Sequence, residues 1–343
     1  MTQKGCKNKM TRVIMLGIVI VLASIILMKI SYNQQNNRFF DKENTNAMRG
    51  FWSLIIILVH IPVVYQNQIQ DMLGSFAYIG VTFFFMTSAY GLKISLENSQ
   101  NKLMFWKRRL IKILIPCITT NIVSMIISNI TKGKVSLSDI IHINDWVKWL
   151  LVCYVIFEIV NILVPEEKGD KYVCLGVLGF SLIIYISKMI GIFESTVWCS
   201  EIFGFVWGII LASKKEEIYN WINEEWQKKV ILGFIGTLMM GIFYLKFKSM
   251  LFIGDYVLKI ILGLVIIFFV LILNTRINLN NRIGKVLGKI SYETYLLQWT
   301  MIPVVGCLGL KESGIYILTL YVSIILVAYV INGVDKKIFE MLR

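Results

Sequence analysis

The chain has few charged residues and few prolines. Charged residues make up 16% of its 343 residues and hydrophobic residues make up 57%, whereas ordinary soluble domains contain about 25% charged residues. This shortage of charge excludes an ordinary soluble enzyme and a disordered polar chain. Only four prolines occur, which favours long uninterrupted helices.

Histidine and cysteine are too scattered to form the usual metal-binding or disulfide patterns. The chain has two histidines, His60 and His142, and six cysteines, none of which forms a C-x-x-C pair. Five of the cysteines lie in or beside apolar runs, where a thiol behaves as a small hydrophobic group. The sequence therefore predicts no metal site and no disulfide scaffold.

Long apolar runs recur along the whole chain. A run of about 20 residues is long enough to cross a bilayer as a helix. The runs lie near residues 13–30, 50–66, 73–92, 110–130, 147–164, 172–187, 190–212, 230–245, 256–274, 290–309 and 314–333. They predict an all-α polytopic membrane protein, in which one extra N-terminal apolar helix precedes a core of ten helices. The predicted domains are residues 1–44, an apolar helix with a polar linker, and residues 45–343.

The basic residues indicate an orientation in the membrane. The net charge is +14, but no polar domain presents a basic patch with exposed aromatic residues, so we expect no nucleic-acid partner. If the runs alternate in direction, about two thirds of the 35 Lys and Arg residues fall on one side. The positive-inside rule makes that side cytoplasmic. We therefore expect a multi-pass protein of the plasma membrane with its C-terminus in the cytoplasm.

The first apolar run conflicts with this orientation. If residues 13–30 span the membrane, the basic segment Met1–Arg12 lies outside, against the rule. Residues 28–31 offer no small-residue cleavage site of the kind that follows a signal peptide. The segment could span, lie at the interface or be peripheral to function.

The run at 50–66 carries Arg49 at its start and His60 within it. Eleven residues of helix bring the chain back to nearly the same face and separate the two side chains by about 16 Å along the axis. Arg49 is then expected at the cytoplasmic interface and His60 near the middle of the bilayer. A histidine at that depth is either a proton-transfer group or a side chain hydrogen-bonded to a neighbouring helix.

A second basic group precedes the run at 110–130. Arg108, Arg109 and Lys112 stand at its cytoplasmic end, and Arg109 and Lys112 are one helical turn apart. Arginine matches the geometry of phosphate and lysine adds a point charge. With Arg49, they could bind the phosphates of coenzyme A. They could equally anchor the helix against anionic lipids.

Five segments form a pattern along the chain: Met48–His60 with Gly80–Leu92, Phe105–Pro116, Asp145–Phe157, Phe203–Gly208 and Leu287–Gln298. In this order they resemble the membrane acyltransferase-3 family of bacteria, whose members acylate sugars and other extracytoplasmic acceptors. The resemblance covers about residues 45–333, and no single segment is specific without the others.

The resemblance implies roles for residues of this chain. His60 matches the family's essential histidine, Arg49 its first arginine, and Arg109 with Lys112 its pair of arginines. Acyl-CoA would enter from the cytoplasm as a donor substrate, with no bound cofactor. His60 would act as general base on the acceptor hydroxyl, or as a transient acyl carrier.

Three residues depart from the family pattern. Lys112 replaces an arginine and loses its bidentate geometry. Ala89 replaces a glycine, although Gly91 follows two residues later. Gln298 stands where many members carry a second histidine, and glutamine orients a substrate but does not shuttle a proton at neutral pH.

Other residues have weaker claims on the site. Ser88, Tyr90 and Gln298 are predicted to line the pocket. Glu158 is a further pocket candidate, and it, Glu201 or Asp255 could orient His60; Asp255 is more simply explained by pairing with a lysine. The helix dipole explains Glu293. Trp146, Trp149 and Tyr154 are expected in packing or at the interface, and His142 in a solvated outer loop.

The sequence thus predicts a membrane O-acyltransferase that moves an acyl group, preferentially acetyl, from acyl-CoA to a hydroxyl of an envelope glycan or lipid-linked saccharide. One alternative is a non-enzymatic envelope protein on the same fold, such as a polysaccharide exporter, which Gln298 favours. The other, an ion-coupled transporter, would show inverted repeats and paired intramembrane charges. No such symmetry is visible.

Overall fold

The chain folds as an all-α bundle with one minimal pair of strands. The computed structural model describes residues 3–33, 36, 38–66, 68–132, 140–193, 198–279 and 281–342. The α-helices are α1 (Gln3–Leu27), α2 (Lys42–Val59), α3 (Gln68–Phe76), α4 (Tyr78–Glu97), α5 (Lys102–Lys132), α6 (Asp145–Leu163), α7 (Glu166–Met189), α8 (Phe203–Ser213), α9 (Lys215–Glu224), α10 (Trp226–Phe247), α11 (Lys259–Asn274), α12 (Arg282–Lys289), α13 (Ser291–Gly306) and α14 (Ser313–Met341). A π-helical turn, Ile253–Leu258, leads into α11. Two short strands, β1 (Ser31–Tyr32) and β2 (Ile277–Asn278), pair antiparallel.

The predicted class, an all-α polytopic membrane protein, is confirmed. Within the described ranges, seven helical segments are long and apolar enough to cross a membrane. They are α3 with α4, then α5, α6, α7, α10, the segment Ile253–Asn274 and α14. The other four predicted runs give shorter or more polar helices: α1, whose apolar part is Val13–Ile25, α2, α8 and α13. The run at 190–212 was predicted too long, since its helical part is Phe203–Ser213.

The first helix packs along the core. Met15 and Leu22 of α1 are buried, and Ile14 lies against Gly314 at the start of α14. Near the other end of α1, the carbonyl of Ile25 accepts a hydrogen bond from Asn281 Nδ2 at 3.0 Å. The helix is therefore not peripheral to the fold. The predicted division at residue 44 falls in the first turn of α2.

Glycines allow α8 to lie directly on α4. A Cβ added at Gly204 would stand 2.0 Å from the carbonyl oxygen of Thr82, and one at Gly208 would stand 2.3 Å from that of Met86. Glycines four residues apart share a helix face, and they let two backbones approach as they do in many membrane helix pairs. This contact fixes the position of α4, which carries Ser88.

We expect Gly204→Ala to destabilise the protein more than Gly179→Ala. The methyl group at residue 204 would meet backbone, which cannot give way without moving α8, and such overpacking costs about 1–3 kcal/mol or more. Gly179 in α7 is a matched control, because a Cβ there meets nothing within 4 Å. Thermal unfolding of both variants in detergent tests this. Equal melting temperatures for the two variants would show that the backbones of α4 and α8 are not in close contact at Gly204.

A second glycine contact holds α2 against α12. A Cβ at Gly50 would stand 2.7 Å from Leu287 Cβ, and one at Gly288 would stand 2.2 Å from the carbonyl oxygen of Asn46. At its start, α2 is capped by Asp41, whose carboxylate accepts hydrogen bonds from the backbone N–H groups of Glu43 and Asn44. Arg49, beside Gly50, is thereby held on a rigid helix.

Charged contacts agree with the predicted alternation of sides. Lys93 pairs with Asp170 at 2.6 Å and Lys285 with Glu43 at 3.3 Å. These pairs lie at the end of the bundle that also carries Arg108, Arg109 and Lys112, which we call the basic end. Lys188 lies 3.9 Å from Asp255 at the opposite end, as the lysine pairing predicted for Asp255 requires. Lys134 and Arg343, which the charge count includes, lie outside the described residues.

Candidate active site

Three predicted basic residues line one cavity at the basic end. The cavity has a volume of about 500 Å³, and Arg108, Arg109 and Lys112 form part of its wall. Ser95 of α4, the α4–α5 loop 98–101, and Met104 and Phe105 of α5 complete it. We call this cavity the basic pocket. Its positive charge, hydroxyl groups and amides suit the binding of phosphate.

Arg109 is held in a defined orientation. Its Nε and Nη2 donate to the hydroxyl of Tyr154 at 2.9 and 2.7 Å, and Nη2 also donates to the carbonyl of Ser88 at 2.8 Å. Gly91 lies beside Nη1, where a Cβ would stand at 3.8 Å. Ser88 therefore contributes its backbone. Because Gly91 has no side chain, it does not cover the Nη1 edge of the guanidinium.

Arg49 lies within electrostatic range of Arg109 but outside the wall of the basic pocket. Its guanidinium lies 5.7 Å from the centre of the Phe84 ring, one helical turn before Ser88, whose carbonyl accepts a hydrogen bond from Arg109. The Nε of Arg49 is buried and has no hydrogen-bond partner among the described residues. Two like charges on half-buried side chains repel each other, and a buried donor without a partner is unfavourable. An anionic ligand between them would relieve both.

Glu293 is more than the dipole contact that the sequence suggested. It lies in the first turn of α13 but is buried, with 3% of its surface exposed. Asn332 donates to one of its oxygens at 2.8 Å, and the other has no partner among the described residues. Its charge acts on Arg49. Glu293 thus partly balances the charge of Arg49 from the α13 side.

His60 lies where α2 ends, within the bundle. The helix was predicted to continue to about residue 66 but ends at Val59, because Pro62 disfavours helical conformation in the residue before it. His60 Nδ1 lies 3.2 Å from Oε1 of Gln298, and Gln298 is near the middle of α13. The structure therefore brings together two predicted site residues that are 238 positions apart.

The contact with Gln298 has a chemical consequence for His60. A carboxamide oxygen only accepts hydrogen bonds, so the contact forms when Nδ1 carries the hydrogen. The neutral ring then presents Nε2 as an unprotonated base. The Nε2 of Gln298 is buried and without a partner among the described residues. This amide group is therefore a hydrogen-bond donor next to the imidazole of His60.

Several predicted pocket residues lie elsewhere. Tyr90 packs against Phe40, with ring centroids 4.8 Å apart, on a different side of α4 from the Arg109 contact. Glu158 lies one helical turn beyond Tyr154 on α6, towards the basic end and away from His60. The suggestion that Glu158, Glu201 or Asp255 orients His60 is not supported, because the side chain that contacts its Nδ1 is Gln298.

Glu201 and Asp255 have other partners. Glu201 accepts from Ser200 at 2.9 Å and lies 3.8 Å from Lys259. Asp255 accepts from the hydroxyl of Tyr185 at 2.9 Å. Both carboxylates therefore belong to local polar networks between α7, α8 and the π-helical turn.

Two aromatic residues of the site were not identified from the sequence. Tyr154, expected to be a packing residue, is buried and orients Arg109. Trp299 is 53% exposed, and its ring centroid lies 4.5 Å from that of His60. The sequence pattern around Tyr154 gave no indication that its hydroxyl contacts Arg109. Trp299 could have been suspected, since it directly follows Gln298.

One comparison with known proteins identifies a family for this chain. The family model described as an acyltransferase domain, that of the acyltransferase-3 family, matches residues 43–333. Searches of curated proteins and of solved structures found no match. The matched range contains Arg49, His60, Arg109, Lys112 and Gln298, and it covers more than four fifths of the chain. This multi-pass membrane protein therefore belongs to the acyltransferase-3 family.

Proposed function

We propose that the protein is an O-acyltransferase of the bacterial plasma membrane. It takes an acyl group, preferentially acetyl, from cytoplasmic acyl-CoA and passes it to a hydroxyl of an envelope glycan or lipid-linked saccharide. The basic end, with the C-terminus, faces the cytoplasm. Arg49, Arg108, Arg109 and Lys112 bind the phosphates of the donor, and His60 carries the proton chemistry.

One observation carries the proposal: α2 carries Arg49 and ends directly before His60. Arg49 is within electrostatic range of Arg109 and has an Nε without a partner among the described residues, and His60 follows eleven residues later, about 16 Å along the axis. A donor whose phosphates lie at the basic end can then extend its narrow pantetheine arm along α2 towards His60. Lipid anchoring alone would not require two half-buried arginines on different helices.

The geometry supports a direct transfer. Nε2 of His60 takes the proton of the acceptor hydroxyl as the oxygen attacks the thioester carbonyl. The carbon–sulfur bond breaks, and the CoA thiolate leaves and recovers the proton from His60. The free amide hydrogens of Gln298 are suited to stabilise the negative charge that develops on the carbonyl oxygen. Gln298 thus positions the base and assists without exchanging protons.

Membrane vesicles of opposite orientation test the proposal. Labelled acetyl-CoA, which is too charged to cross a bilayer, is added outside vesicles that contain the protein and host envelope glycan. We expect label in the glycan with inside-out vesicles, and with right-side-out vesicles only after permeabilisation. The opposite pattern would overturn the assignment of the basic end to the cytoplasm.

The same experiment separates the non-enzymatic alternative, which Gln298 favours because it removes one proton-transfer group. Absence of transfer from permeabilised vesicles of either orientation would contradict the proposed enzyme. If the purified protein nevertheless bound acetyl-CoA, a non-catalytic relative would be favoured. Failure to bind acetyl-CoA would favour the polysaccharide exporter.

A further inference from the structure

A second cavity lies on the side of His60 away from the basic end. Its volume is about 410 Å³, within the range of roughly 300–1,000 Å³ typical of small-molecule sites. It is lined by the second half of α5, the loop before α6 and the face of α13: Cys117, Asn121, Ser124, Met125, Ser128, His142, Asn144, Leu296, Trp299 and Thr300. We call it the indole pocket.

The indole of Trp299 connects this cavity to the base. The ring forms part of the pocket wall, and it also contacts the His60 ring, with 4.5 Å between the centroids. His142, expected to be only a solvated loop residue, is exposed but also lines the pocket. A ligand in the indole pocket therefore lies one side chain away from the proposed base.

The amide and hydroxyl groups of the wall are partly fixed by hydrogen bonds. Asn121 Nδ2 donates to the carbonyls of Ile140 and His142, at 3.0 and 2.7 Å, and so holds the loop in place. The amide oxygen of Asn121 remains as an acceptor. Thr300 donates to the Ser124 hydroxyl at 2.7 Å, and Ser124 retains its own hydrogen as a donor.

None of the described residues that line the indole pocket is an aspartate, glutamate, lysine or arginine. A charged ligand would lose hydration there without gaining a partner of opposite charge. Hydroxyls and amides around one flat apolar indole suit a ring that is apolar on its faces and carries hydroxyl groups at its edge. We propose that the indole pocket binds a neutral pyranose unit of the acceptor and holds it against Trp299, next to His60.

This inference rests on the proposed function for its catalytic meaning, but binding can be tested without turnover. Methyl β-D-glucopyranoside serves as the neutral probe and glucuronate as its anionic counterpart. Binding to the full chain in lipid nanodiscs is followed by saturation-transfer NMR. We expect the neutral probe to bind saturably, and at least tenfold more tightly than the uronate.

The diagnostic variant fills the pocket. Ser128 lines it, whereas the neighbouring Asn129 is exposed and does not, so Ser128→Trp and Asn129→Trp form a matched pair. We expect Ser128→Trp to weaken glucoside binding and to raise the acceptor KM at least tenfold, with acetyl-CoA affinity within twofold of wild type. Asn129→Trp should change neither.

The outcomes distinguish this inference from the proposed function. Equal glucoside binding by the two variants, or absence of glucoside binding by the wild type, would overturn the pocket while acetyl-CoA transfer could still occur. Preference for the uronate would overturn the neutral ligand. Pocket-dependent glucoside binding in a protein that neither binds nor uses acetyl-CoA would support the saccharide site and contradict the acyltransferase.

Discussion

Replacing His60 with alanine is expected to lower the rate of acyl transfer by about 10²–10⁴-fold, the usual contribution of a positioned general base. The loss should be large because Gln298, the side chain in contact with Nδ1, does not accept a proton at neutral pH. No second histidine stands at that position to take over. Transfer of label from acetyl-CoA to envelope glycan measures the effect.

Two controls distinguish a lost base from a damaged fold. The affinity of the His60→Ala variant for acetyl-CoA should stay within about twofold of wild type, since the donor phosphates are bound at the basic end. Added imidazole should restore part of the rate by replacing the missing ring. Transfer within threefold of wild type would move the chemistry away from His60.

Replacing Arg109 with alanine is expected to weaken acetyl-CoA binding by about 10–100-fold. A hydrogen bond to a charged group contributes about 1.5–3 kcal/mol, and each 1.4 kcal/mol is about a factor of ten in the dissociation constant. The dissociation constant of Arg109→Lys should lie between those of wild type and Arg109→Ala, because lysine keeps the charge and loses the planar guanidinium. Equilibrium binding of labelled acetyl-CoA to the purified protein gives the constants.

Lys107→Ala is the matched control for Arg109→Ala. It removes one positive charge from the same helix at an exposed position that does not line the basic pocket, so its effect should be below twofold. S-acetylpantetheine, a donor that lacks the nucleotide and all the phosphates of coenzyme A, adds a second test. Its KM should be unaffected by Arg109→Ala. Equal losses with both donors would indicate that Arg109 supports the fold through Tyr154 rather than the phosphates.

Patterns local in the sequence were sufficient for the class of fold and for part of the site. The length and composition of the apolar runs predicted membrane helices. In a bilayer, the backbone N–H and C=O groups of a spanning segment must hydrogen-bond to each other, as they do in a helix. The spacing of Arg49 and His60 placed both on one helix. Arg108, Arg109 and Lys112 form a cluster because they lie within two turns of the same helix, α5, and so at the same end of the bundle.

Helix ends and depths were predicted less well. Among the described residues of the run at 190–212, the α-helix α8 begins at Phe203, and α2 ends at Val59 rather than near residue 66. Hydrophobicity does not distinguish a helix from an apolar loop packed against the bundle. Where a helix ends depends on local breakers such as Pro62 and on the neighbours that remain available for packing.

The sequence by itself determined that this chain crosses membranes, which end of it is basic, and which helix joins the proposed phosphate site to the histidine. Only the tertiary structure decided that Gln298 faces His60, that Tyr154 orients Arg109 and that Trp299 lies between His60 and a polar pocket. These contacts join residues tens to hundreds of positions apart. They depend on which helix faces meet, and that is set by close backbone contacts such as those of Gly50 with Gly288 and of Gly204 with Thr82, which no local pattern specifies.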